Sequence, residues 1–189
     1  MSESTSRPGL RMLTLTRASL LSLRAALLRS GDAQATVALQ EAGYAGGTAL
    51  FEAFQSWLAA RTDIAMPDLD VESFESRLSE FFRETGWGTV HIGSIDDVVA
   101  TLDSSDWGEC DMGTGMQHPS CHLTTGMFAD LFGRLADAPV AVLEVECRSA
   151  GHERCRFLVG SPDILDAVYD EMGHGLGYEE AVRLQGKAS

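Results

Sequence analysis

Cys147 and Cys155 stand eight residues apart, placed symmetrically about Gly151, and the residues on either side read as one β-ribbon. Val140 to Arg148 has strand character and Arg154 to Val159 returns with the same character, while Ser149 to Glu153 turns around the glycine. In a hairpin closing there, the two cysteines face each other across the strands, with Cβ atoms about 4.5–5.5 Å apart. Two thiolates so placed can grip one zinc ion at about 2.3 Å each. The pair therefore fixes a ribbon, its register, and the place where another element must bring further donors.

Cys121 is the third sulfur. It falls in the first turn of a helix expected from Ser120 to Ala136, where the positive end of the helix dipole favours the thiolate that a metal needs. The fourth donor is Glu144 or Glu146. Simple strand alternation puts both on the face opposite Cys147, and a bulge near the strand end would bring one round. Geometry alone does not choose between them. Taken alone, Cys147 and Cys155 fit a disulfide or two buried thiols equally well. With Cys121 and a carboxylate the reading becomes zinc, in a closed four-ligand site of the structural kind. His118, His122 and His152 are nearby substitutes for the carboxylate, read as surface or supporting residues, and Cys110 reads as a spare thiol.

Helical periodicity predicts helices over residues 16–30, 33–60 and 70–85, with Gly31 ending the first and Asp32 capping the second. Gly43, Gly46 and Gly47 sit inside the second helix, where each costs roughly 1 kcal/mol against alanine. Close packing on another helix, across a dimer interface for instance, or a kink would account for them. Trp87 to Ile92 then alternates as a strand, with a turn at Gly93–Asp96 and a partner strand over Asp97–Leu102. Residues 103–119 form a long loop. After the cysteine ribbon, Ser161 and Pro162 open a helix that ends near Gly173, and a last helix covers Tyr178–Leu184. The fold class is α+β: an antiparallel sheet of about four strands from two hairpins, covered by N-terminal, central and C-terminal helices. Residues 1–12 are expected to be a flexible N-terminus and 13–186 a single small-molecule-binding domain.

The net charge of -14 excludes direct nucleic-acid binding as the expected role. No stretch is apolar enough to insert in a membrane, since Arg17 and Arg24 interrupt the nearest candidate, Leu13–Leu28. The cytoplasm is the expected compartment, which favours metal over disulfide for the cysteines. A pocket between sheet and helices is expected to hold a small apolar or aromatic molecule. Its candidate residues are Tyr44, Trp87, His91, Trp107, Phe128 and Phe132, although core packing explains each aromatic as well. His91 reads as a hydrogen-bonded core histidine. Trp107 stands apart, because it follows Asp-Ser-Ser-Asp in a polar loop, where a lid over the pocket gives so large a ring a purpose.

Pro-Ser-Cys-His before a helix, then Glu-Val-Glu-Cys, then Gly-His-Glu-Arg-Cys-Arg-Phe, all within Pro119–Val159, resemble the 4-vinyl reductase domain family. The Glu-Ala-Gly-Tyr-Ala-Gly-Gly segment of Glu41–Gly47 resembles the helix that precedes that domain. The family includes a bacteriochlorophyll-biosynthesis protein and the sensor domains of phenol-responsive transcription activators. The resemblance implies a structural Zn2+ held by Cys121, Glu144, Cys147 and Cys155, whose spacings of twenty-three, three and eight reproduce those of the sensors. It thereby selects Glu144 over Glu146. It also implies a fold like that of the Golgi-transport TRAPP subunits and nitric-oxide-sensing domains, commonly a homodimer. Trp107 and His91 stand roughly where the sensors' ligand-holding tryptophan and histidine fall. The function expected is therefore a binding or sensor module rather than an enzyme. An enzyme or accessory of tetrapyrrole vinyl reduction, working with a partner reductant, is the alternative, and an assembly scaffold is another.

Overall fold

A computed structural model describes residues 14–29 and 33–188. The expected flexible N-terminus, and the stop and cap assigned to Gly31 and Asp32, lie outside the described residues. Six helices and four strands follow one another as α1 (Arg17–Leu28), α2 (Ala33–Ala59), α3 (Val71–Glu84), β1 (His91–Ile95), β2 (Val99–Ser104), α4 (His122–Ala136), β3 (Ala141–Glu146), β4 (Cys155–Gly160), α5 (Pro162–Gly173) and α6 (Tyr178–Ala188). The local signals explain several of the boundaries. Asp70 caps α3 by accepting from Ser73 N at 2.7 Å, and Pro162 opens α5, where its missing N–H costs nothing.

The sheet is antiparallel throughout, in the order β1-β2-β4-β3, so two sequential hairpins lie side by side and join through β2 and β4. The first hairpin differs from expectation. Gly93 lies within β1, opposite Thr101, and the reversal is made by Asp96 and Asp97, both left-handed at φ 48° and 54°. Paired left-handed residues match the twist of the flanking strands, and short acidic side chains tolerate that conformation.

Strand alternation divides the core in two. Leu102, Cys155 and Phe157 face α2, α3 and α4, packing with Phe54, Phe82, Phe128 and Leu131. Leu158, Val99 and Ile95 face α5 and α6, packing with Leu165, Val168 and Val182. On the first side, α2 crosses α4 at backbone contact. A Cβ on Gly43 would lie 2.0 Å from the Leu123 carbonyl oxygen, and one on Gly126 would lie 1.9 Å from that of Gln40. The glycines of α2 thus serve a crossing within the chain, which removes them as a sign of a dimer, and Gly46 faces open space. Among the described residues, no helix is long and apolar enough to cross a membrane.

A buried thiol and carboxylate cluster at the start of α4

The cluster depends on a fault in the β3–β4 ladder. Glu144 pairs with Phe157, but Glu146 pairs with Arg156, so Val145 is an extra residue in β3. A bulge of this kind moves every following side chain to the other face. Glu144 and Cys147, which strict alternation would separate, therefore share the face of Cys155 and Phe157. Glu146 is left on the far side, where it accepts from Arg154 Nε at 2.8 Å and from the Tyr178 hydroxyl.

Cys121 arrives from above as the N-cap of α4. Its amide donates to Glu144 Oε2 at 2.7 Å, and its sulfur lies 3.8 Å from that of Cys147. Cys121, Cys147 and Cys155 are fully buried and Glu144 nearly so. One donor atom from each of Cys121, Glu144, Cys147 and Cys155 lies within 4.8 Å of the others, close enough to hold a metal ion. The other oxygen of the carboxylate, Glu144 Oε1, is buried without a protein hydrogen-bond partner. An orphaned carboxylate oxygen beside three thiols is what a cation would complete.

The electrostatics agree. Burial first, and then the negative charge of Cys147, push Glu144 up to about 10. Sharing with Cys147 and Cys155, then burial, raises the Cys121 thiol, whereas hydrogen bonds from Cys110 and Cys121 lower Cys147. Without a cation the four groups cannot all be ionised together, and a divalent ion would displace the protons they keep. The histidines do not join them. His118 and His152 are exposed and His122 is half-buried, and the His152 ring nitrogen Nδ1 lies 3.1 Å from the Cys147 backbone.

A buried ion pair escaped the sequence reading. Arg24 of α1 lies 3.5 Å from Glu109 Oε1 and donates to the Ser120 carbonyl through Nε at 3.1 Å and Nη2 at 2.7 Å. Glu109 accepts from the amides of Leu123 and Thr124 at 3.1 and 2.8 Å, so it serves the open amides in the first turn of α4. The position of Cys121 is thereby set from both sides, by Glu109 and by Glu144.

The six candidate ligand contacts divide. Trp87, Trp107, Phe128 and Phe132 share one run of ring contacts. Trp107 is not a lid. It is wholly buried, stacks on Trp87 at 5.6 Å, and donates from Nε1 to Thr124 Oγ1 at 2.7 Å. A polar loop carries it inward because Thr124 satisfies its one polar atom. His91 is not a core histidine either. It is exposed on edge strand β1, 3.1 Å from Glu75, in an open cleft of about 560 Å³ with an acidic lining. Tyr44 is exposed on α2, where it borders an apolar groove of about 290 Å³ with Gln40, Thr125, Gly126, Ala129 and Val142.

Comparison with known proteins adds to this geometry. Residues 109–161 match the vinyl-4-reductase (V-4-R) domain family. The matched segment holds all four members of the cluster and Glu109, so the resemblance read from Pro119–Val159 stands. An uncharacterized protein of Methanocaldococcus jannaschii is 27% identical over 84 residues, 44% of this chain and 45% of its own length, so the chain spans under half of that relative. Three solved structures share the fold. The phenol-responsive sensory domain of the transcription activator PoxR, solved with phenol, has a TM-score of 0.56 at 19% identity, covering 79% of this chain and 76% of its own. A vinyl-4-reductase family protein from Methanocaldococcus jannaschii has a TM-score of 0.51 at 16% identity, covering 79% and 84%. A trafficking protein particle complex subunit 3 from Naegleria fowleri, covalently bound to palmitic acid, has a TM-score of 0.58 at 12% identity, covering 76% and 91%.

Proposed function

We propose that the chain is a small-molecule sensor or binding module, one domain over residues 13–186, whose vinyl-4-reductase segment is held in shape by structural zinc. Three sulfurs and one carboxylate suit zinc among the common divalent ions, and four protein donors leave no position for a substrate. One observation carries the reading. The first turn of α4 brings Cys121 to the metal cluster and Thr125 and Gly126 to the wall of the apolar groove. An ion that fixes the start of this helix therefore fixes the groove.

The groove, bordered by Tyr44, is the site assigned to a small apolar or aromatic ligand. Phenol at the PoxR domain supports that class of ligand. The packed rings of Trp87, Trp107, Phe128 and Phe132 lie behind the groove and would report its occupation. The homodimer and the cytoplasmic setting implied by the family resemblance belong to this reading, as does the absence of direct nucleic-acid contact at a net charge of -14. The family match also favours a second reading, a part in vinyl-group reduction with a partner reductant.

Native mass spectrometry of protein purified without chelators should find one zinc per chain and the mass of two chains. Phenol-class compounds should raise Tm in proportion to the logarithm of concentration over affinity. Cys155→Ser should lose the zinc together with about 3 kcal/mol or more of stability, roughly 6–12 °C in Tm. Metal-free protein that melts like its Cys155→Ser variant would refute the zinc. Turnover of a divinyl tetrapyrrole with an added reductant would move the assignment to the second reading.

A further inference from the structure

The metal cluster has a fourth sulfur beside it. Cys110 is 2% exposed and belongs to the loop between β2 and α4. It is pinned at several points. Its amide donates to the Trp107 carbonyl at 3.2 Å, its carbonyl accepts from Arg17, and its sulfur lies 3.4 Å from Ser149 Oγ. Ser149 in turn accepts from Asp111 N at 2.9 Å, which ties this loop to the turn of the cysteine ribbon. The Cys110 thiol interacts directly with those of Cys147 and Cys155, the two sulfurs the ribbon supplies.

Glu144, meanwhile, divides its service. Oε2 holds the Cys121 amide, and only the unpartnered Oε1 is free for an ion. If the metal bond to Glu144 breaks, the carboxylate keeps its structural bond to α4. Five donors thus surround a centre that needs four, and the fifth is softer than the one it would replace.

We propose that Cys110 is a reserve ligand, which replaces Glu144 when the centre holds a thiophilic ion such as cadmium. The proposal rests on the reading of the cluster as a metal centre. Soft cations favour thiolate over carboxylate. In the exchange one metal–oxygen bond breaks and one metal–sulfur bond forms. The proton shed by Cys110 passes to the released carboxylate, so the charge of the centre is unchanged. With zinc, Glu144 stays bound and Cys110 remains a thiol against Ser149. The site is therefore built to accept two ions of different hardness without moving α4.

X-ray absorption on the full chain, loaded with zinc or with cadmium, tests this without mutation. Zinc should show three sulfur neighbours and one oxygen, and cadmium four sulfurs. Three sulfurs around cadmium would overturn the exchange. Cys110→Ser should still bind one cadmium per chain but lose about a quarter of the thiolate-to-metal absorbance per ion, as one of four sulfurs is gone. Glu144→Gln should leave that absorbance unchanged. Equal absorbance in Cys110→Ser and wild type would refute the role of Cys110. Wild-type protein that takes up neither ion would sink the metal reading itself, a different failure.

Discussion

A guanidinium that is 2% exposed needs several acceptors, and Arg24 has them in the Ser120 carbonyl, the Ser120 hydroxyl and Glu109. Its partner is buried completely. Burial pushes the Glu109 carboxyl up, while Thr124, the helix amides and Arg24 draw it back. Breaking such a pair strands a charge, so Arg24→Met should cost about 3–5 kcal/mol in urea unfolding. The double variant Arg24→Met with Glu109→Gln should recover part of that loss, because no net charge remains inside. A double variant that loses as much as the two singles together would mean that the pair is not what holds α1. Trp107→Ala should cost about 3–5 kcal/mol for the same reason of place, as a fully buried ring at the centre of the aromatic run. A loss under about 1 kcal/mol would return Trp107 to the role of a lid. Neither residue's setting was legible beforehand. Arg17 and Arg24 read only as interruptions of an apolar stretch, and their acceptors lie 91 to 96 residues away in a loop whose path no local pattern specifies.

Between α2 and α4 the limiting quantity is distance, since carbonyl oxygens occupy the positions where side chains would begin. Gly43→Ala must push Leu123 away, and overpacking of this kind costs about 1–3 kcal/mol or more. Gly46→Ala, three residues along and facing open space, should instead gain roughly 0.5–1 kcal/mol by restricting the unfolded chain. Urea midpoints of the two variants should move in opposite directions. Equal shifts would show that the crossing is looser than the geometry requires. At this scale the sequence was informative where period and caps coincide: α2, α3, the cysteine ribbon and the helix at Pro162 stand close to their expected bounds. It misplaced the first turn, because Gly93 resembles punctuation and two aspartates do not. It also offered Glu144 and Glu146 on equal terms, since a bulge of one residue leaves no local trace. Only the family spacing separated them, and the shifted register supplies the physical reason.

The chain as a whole should carry its metal dependence in its response to pH. Glu144 has a folded pKa of about 10 against 4.5 for the free side chain. Between those values the folded metal-free protein keeps a proton that the unfolded chain has released. Stability from this group is therefore full below the ordinary carboxylate range and is lost as pH rises toward about 10. Zinc reverses the sign. Its ligands must be deprotonated, so the free energy it adds grows as protons become scarce. The melting temperature of chelator-treated protein should fall from roughly pH 5 to pH 9, while the gap to zinc-loaded protein widens over the same span. Scanning calorimetry of both forms in matched buffers measures that gap. Two curves that stay parallel would mean that binding displaces no proton from the cluster. Cys121, Glu144, Cys147 and Cys155 would then be a buried acidic knot that costs stability, and the start of α4 would owe its place to Glu109 and Arg24 alone.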